Sequence, residues 1–191
     1  MTRTCFGFLA LLVSFHSKGQ RIVMDKDRKF LYSDSAGVTA SYISYFGNRF
    51  AIPGIVTIDG KTINPADLQG KTVVYNFWFV ACKPCVAEIP ALNKLVKKYQ
   101  SDSMVFIAIT FDKETRIREF LKKRGFNFQI TNLPQAEIDS LKKIAFYPFT
   151  AIVTKTGKLS FALFARPMGK NDEEGLFELL SSQIEKVLHE Q

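Results

Sequence analysis

Two apolar runs with little alternation, residues 72–79 and 104–111, dominate the hydrophobic pattern of this chain. Such runs suit strands buried on both faces of a sheet. Between them Val86, Ile89, Leu92, Leu95, Val96 and Tyr99 recur at helical spacing and predict a helix over 82–99. Pro90 falls inside it, where a kink is expected. A second helix is predicted over 114–124, closed by Gly125, and a shorter one over 135–143 after Pro134. Residues 149–154 and 159–165 read as an antiparallel hairpin around Lys155-Thr156-Gly157-Lys158. A last helix over 173–189 turns Leu176, Leu180, Ile184, Val187 and Leu188 inward. Upstream, residues 49–63 read as a hairpin around Asp59-Gly60, a pair that accepts positive φ. Asn64-Pro65 then starts a short helix to about Leu68, which Gly70 stops. The order implies an α/β fold, a mixed central sheet covered by helices.

The first nineteen residues break this pattern. Arg3 precedes an apolar run over 5–15, too short to span a bilayer, and Ser17-Lys18-Gly19 offers small residues for cleavage before Gln20. Residues 1–19 are therefore expected to be a signal peptide; a buried segment at a cytosolic N-terminus is the alternative. Residues 20–49 are polar with short apolar pieces such as Lys29-Phe30-Leu31-Tyr32, and read as an N-terminal extension with one edge strand. Residues 50–191 are left as the domain. No later stretch is long and apolar enough for a membrane span, so no stable membrane span is expected.

Composition places the chain among globular proteins. Of its 191 residues 47% are hydrophobic and 23% charged, and 18 Phe residues supply much of the expected core. The formal net charge is +8, which loss of Arg3 and Lys18 with a signal peptide lowers by two. The basic residues are scattered as Lys97-Lys98, Lys122-Lys123-Arg124 and Lys142-Lys143 on polar faces or last turns of predicted helices. No basic stripe interleaves with aromatics, so no nucleic-acid partner is expected.

The chemistry sits in Cys82-Lys83-Pro84-Cys85, where the first apolar strand runs into a helix. Cleavage would remove Cys5 and leave an exported chain with this pair alone, which favours a redox-active pair over a structural framework. Zinc needs four ligands, and the remaining chain has no other Cys and only His189, so no metal is expected and no cofactor is implied. A cysteine protease is excluded because no His is placed to serve as base. Cys82, at the helix start, is the candidate nucleophile, since the dipole and free N–H groups there favour thiolate. Cys85, one turn inward, is the candidate resolving thiol. Lys83 either favours the thiolate electrostatically or is a solvated side chain. Pro84 fixes φ at the helix start. Trp78 either lines the site or belongs to the core.

The residues Gly60-Lys61, Leu68-Gln69-Gly70-Lys71, Val73 to Trp78, Cys82 to Pro90, Tyr147-Pro148-Phe149-Thr150 and Thr156-Gly157-Lys158 carry a resemblance. Over residues 55–188 the chain resembles the thioredoxin fold, and within it the exported TlpA/ResA-like thiol–disulfide oxidoreductases. The resemblance implies a thioredoxin-like fold and exchange of electrons with protein disulfide substrates, in the reductive direction, in cytochrome c maturation or disulfide rescue. It also implies a periplasmic or cell-envelope location and a membrane-borne thiol electron donor. It makes Glu88 the acceptor of the Cys85 proton, against the alternative of a surface Glu in the first turn. It makes Pro148 a cis proline facing the cysteines, with the Tyr147 backbone presented to a substrate peptide. Asn76 stands where cytosolic thioredoxins carry a buried Asp, which shifts that proton toward Glu88. The chain departs from the family at Ala81, where an aromatic is usual, and at Phe79, where a small residue is usual. A thiol peroxidase, which would carry Thr at the position of Phe79, and a non-catalytic binding module are the competing readings.

Overall fold

The computed structural model describes residues 49–142, 147–164 and 172–189, together with the backbone of three short strands upstream. These are β1 (Arg21–Met24), β2 (Phe30–Ser33) and β3 (Thr39–Ala40), which form an antiparallel sheet of their own in a unit distinct from Gly47–Gln191. The sequence pattern predicts one edge strand here; three strands pair with each other instead. The expected signal peptide, residues 1–19, lies outside the described residues. Among those described, no helix is long and apolar enough to cross a membrane.

The second unit opens with the hairpin of β4 (Ile55–Val56) and β5 (Thr62–Ile63), paired Ile55 to Ile63. Gly60 turns it with φ +82°, a conformation that an L side chain rarely adopts. After a 3₁₀ turn over Pro65–Leu68 come β6 (Thr72–Phe77), α1 (Lys83–Tyr99), β7 (Met104–Thr110), α2 (Glu114–Leu121) and β8 (Gln129–Asn132). Then follow α3 (Gln135–Lys142), β9 (Phe149–Val153), β10 (Leu159–Phe164) and α4 (Asp172–His189). The sheet order is β10-β9-β6-β7-β8, with β6, β7 and β8 parallel and β9 and β10 antiparallel to their neighbours. This is the mixed sheet expected from the order of elements.

β6 is buried at every position, as its unbroken apolar run predicts for a central strand. Val74 of β6, Phe106 and Ala108 of β7, Ile130 of β8 and Ile152 of β9 join the core formed with Ile89, Leu92 and Leu95 of α1 and Leu176, Leu180 and Ile184 of α4. Lys94 pairs with Glu173 and Glu174, and Lys98 with Glu185, along the exposed seam between α1 and α4. Such exposed pairs contribute little, so the apolar seam holds the helices together.

Two features differ from the sequence pattern. β8 has no counterpart in it; the strand is four residues long and exists by pairing with β7 and by bonds to the hairpin, Ile58 N–H to Ile130 C=O (2.8 Å) and Thr131 Oγ1 to Val56 C=O (2.8 Å). α2 ends at Leu121 and not at Arg124, because Lys123 N–H closes a tighter turn onto Phe120 C=O at 3.0 Å. α1, by contrast, runs through Pro90 to Tyr99 as its apolar spacing predicts.

Asn76 and Thr150 face each other across β6 and β9, and Asn76 Nδ2 donates to Thr150 Oγ1 at 3.0 Å in a buried setting. Asn76→Ala should therefore lower stability by about 1–3 kcal/mol, read as a lower urea midpoint at unchanged slope. An unchanged midpoint would show that this cross-strand bond contributes nothing.

Candidate active site

Cys82 and Cys85 are joined by a disulfide, with Cα atoms 5.2 Å apart. The motif sits on the first turn of α1. Cys82 is the N-cap residue, in extended conformation at φ −77° and ψ 97°, and its Sγ accepts the Cys85 N–H at 3.2 Å. A cap position normally filled by Ser, Thr, Asp or Asn is here filled by sulfur. The sulfur that satisfies an orphan N–H as a disulfide will do so more strongly as a thiolate, since charge strengthens the bond and the helix dipole has the right sign. Cys82 is 6% exposed and Cys85 2%. The first cysteine is thus the one nearer solvent, and the second lies one turn inward.

Lys83 and Pro84, the first two helical residues, are exposed beside the disulfide. Glu88 is buried at 2% exposure, three residues beyond Cys85. That spacing puts the carboxyl group and the Cys85 sulfur on neighbouring positions of one helix face. Its burial removes the alternative of a surface Glu.

The Tyr147–Pro148 peptide bond is cis. Pro148 is buried and immediately precedes β9, whose first residue, Phe149, pairs with Phe77 at the end of β6. The proline therefore lies level with the loop that leaves β6 for Cys82. Tyr147 is half-buried, and its ring meets Phe79 edge-on at 5.2 Å between centroids. Burial pushes the Tyr147 phenol up from its ordinary value, Gln135 Nε2, donating to the phenolic oxygen at 3.2 Å, opposes that, and the Asp139 charge adds to it. The phenol stays neutral at physiological pH.

Trp78 corrects one expectation. It is wholly enclosed, packed against Phe120 (5.3 Å) and edge-on to Phe126 (5.4 Å). Its indole belongs to the core behind the motif and offers no surface to a substrate. The aromatic surface near Cys82 comes instead from Phe79, which packs on Tyr147 and on Phe111 at 5.2 Å. Phe111 is 38% exposed. Neither the exposed ring of Phe111 nor the next residue, Asp112, stands out in the sequence, where they read as the end of a strand and an acid ahead of a helix.

Among the described residues, no group of three or more His, Cys, Asp or Glu side chains is placed to hold a metal ion. The chemistry that the geometry offers is opening and closing of one disulfide at a helix N-terminus, with a buried carboxyl group one turn further on.

The AhpC/TSA family model matches residues 48–162. A thiol-disulfide oxidoreductase ResA of Bacillus cereus is 31% identical over 106 residues, 55% of this chain and 61% of that protein. The match thus spans about three fifths of that curated relative's length. ResA of Geobacillus thermodenitrificans is 28% identical over 151 residues, 74% of this chain and 86% of that protein. Among solved structures, a putative thiol:disulfide interchange protein DsbE from Chlorobium tepidum is similar with a TM-score of 0.63 at 23% identity, covering 75% of this chain and 97% of that one. That likeness establishes the thioredoxin-like fold.

Proposed function

The chain belongs to the AhpC/TSA family, and we propose that it works as a thiol–disulfide oxidoreductase that exchanges electrons with protein disulfides through Cys82 and Cys85. The observation that carries this reading is the Cys82–Cys85 disulfide at the N-cap of α1, with Cys82 Sγ accepting the Cys85 N–H. The similarity to ResA proteins supports it.

In the reductive direction the cycle starts from the dithiol. The Cys82 thiolate attacks one sulfur of a substrate disulfide, forming a mixed disulfide and expelling the other substrate sulfur as a thiolate that takes a proton from solvent. Glu88 accepts the Cys85 proton. The Cys85 thiolate attacks the Cys82 sulfur, the Cys82–Cys85 bond forms as the bond from Cys82 to the substrate breaks, and the second substrate sulfur leaves as a thiolate that takes a proton from solvent. Two electrons pass from the pair to the substrate, and the disulfide seen here is the product state. A second dithiol must then reduce it; we assign that to a membrane-borne thiol donor, with the chain exported to the periplasm or cell envelope after loss of residues 1–19. Cytochrome c maturation or disulfide rescue is the process that this direction would serve. Lys83 and Pro84, exposed beside the sulfurs, and the Tyr147–Pro148 backbone would meet the substrate chain.

Trapping tests the reading. Cys85→Ala, produced in the cell that makes the protein, should accumulate covalent adducts that a reductant dissolves and that the Cys82→Ser, Cys85→Ala double variant lacks. A folded single variant that reacts with small thiol probes but captures no protein would count against protein disulfides as substrates.

A further inference from the structure

We infer that Asp112 is a positioning residue for the attacking cysteine, its carboxylate holding the loop that delivers Cys82. The inference rests on the oxidoreductase reading above.

The loop between β6 and α1 has few backbone partners. Trp78 N–H still donates to Ile109 C=O at 3.0 Å, continuing the pairing of β6 with β7. Beyond that point the loop turns toward α1, and Val80 N–H finds its acceptor in the Asp112 carboxylate, Oδ2, at 2.6 Å. The same oxygen accepts from Thr110 Oγ1 at 3.2 Å, and Oδ1 accepts from Arg116 Nη1 at 3.1 Å. The Asp112 side chain is 2% exposed and that of Arg116 53%. A carboxylate so buried is costly unless its hydrogen bonds are made. Here one of them goes to the loop that carries the reactive sulfur.

A second contact runs alongside. Phe111, next to Asp112, packs on Phe79, next to Val80, at 5.2 Å. Two consecutive residues just beyond β7 thus grip two consecutive residues of the loop, one by charge-assisted hydrogen bond and one by ring contact. Phe79 passes the constraint on, because its C=O accepts the Cys82 N–H at 3.0 Å. The path from Asp112 to the N-cap sulfur therefore has two hydrogen bonds with one residue step between them. Thiol attack needs the sulfur in line with the disulfide, and displacements on the order of 1 Å cost such reactions as much as about a hundredfold.

Single-turnover attack of the reduced protein on oxidised glutathione tests this, with thermal midpoints measured in parallel. Asp112→Ala should slow attack about tenfold. Asp112→Asn, whose side-chain oxygen can still accept from Val80 N–H, should recover most of that rate. The core variant Ile184→Val should stay within about twofold of wild type, whatever it does to the midpoint. Wild-type attack in Asp112→Ala, or Asp112→Asn no faster than Asp112→Ala, overturns the inference. If Asp112→Ala does not fold, Val80 amide hydrogen exchange in the wild type decides: protection of at least about tenfold over an open chain is expected, and open-chain exchange overturns it. A wild-type protein inert toward disulfides would overturn the oxidoreductase reading as well, whereas an active wild type with an unaffected Asp112→Ala overturns this inference alone.

Discussion

Cys82→Ser should reduce electron transfer to a protein disulfide to the buffer background while leaving the protein folded. The step requires a sulfur that is a good nucleophile at neutral pH and can itself be displaced again; a serine oxygen is neither. The side chain stays at the N-cap, where a hydroxyl also accepts the Cys85 N–H, so the helix start keeps its bond. The disulfide lost closes a loop of sequence separation 3, too short to stabilise the chain much. The expected result is therefore a loss of function without a matching loss of stability. Cys85→Ala should behave differently, releasing one substrate thiol in a single burst and then stopping as the mixed disulfide. Following thiol release over time checks both. Substantial turnover by Cys82→Ser would reassign the nucleophile to Cys85.

Glu88→Gln should separate the two halves of the cycle. Glutamine keeps the size of the side chain but cannot accept the proton that Cys85 must lose. A general base contributes about 10²–10⁴-fold to a step that it serves, so escape from the mixed disulfide should slow by about a hundredfold or more while Cys82 attack changes little. The consequence is a mixed disulfide that persists even though Cys85 is present. Acid quenching at intervals followed by intact-mass measurement would reveal it. If Glu88→Gln resolves its adduct as fast as the wild type, the proton leaves Cys85 by another route. Glu88 would then be a buried carboxyl group without a part in the reaction.

Most of what positions the site is legible in local pattern. β6 and β7 announce themselves as unbroken apolar runs, and α1 and α4 as helical stripes, because each buries a face large enough to leave a periodic mark. The turn at Gly60 is marked by its own chemistry. β8 leaves no such mark, since Gln129–Asn132 is only four residues long and is held by β7 on one side and the hairpin's Val56 and Ile58 on the other. Its existence is a tertiary fact. The cysteines, Glu88 and Pro148 stand out through their motifs, but the motif leaves Trp78 undecided between wall and core. Burial decides it, because Phe120 and Phe126, more than forty positions away, close over the ring. Asp112 is invisible for a related reason. One acidic residue ahead of a helix is common, and only the approach of Val80 N–H from 32 residues away shows what its carboxylate holds. The departure at Ala81 also gains a physical setting. Ala81 follows a loop whose aromatic is Phe79, two positions earlier, with its ring packed on Phe111 and Tyr147.

The most direct test of the central claim counts electrons through the pair. The fully reduced protein is mixed with a disulfide-bonded protein, and thiols are counted in each partner as the reaction proceeds, with peroxide consumption measured separately. Two thiols should vanish from Cys82 and Cys85 for each substrate disulfide opened, through an adduct on Cys82. A substrate disulfide left intact while the same thiols are consumed by peroxide would contradict it and point to a thiol peroxidase.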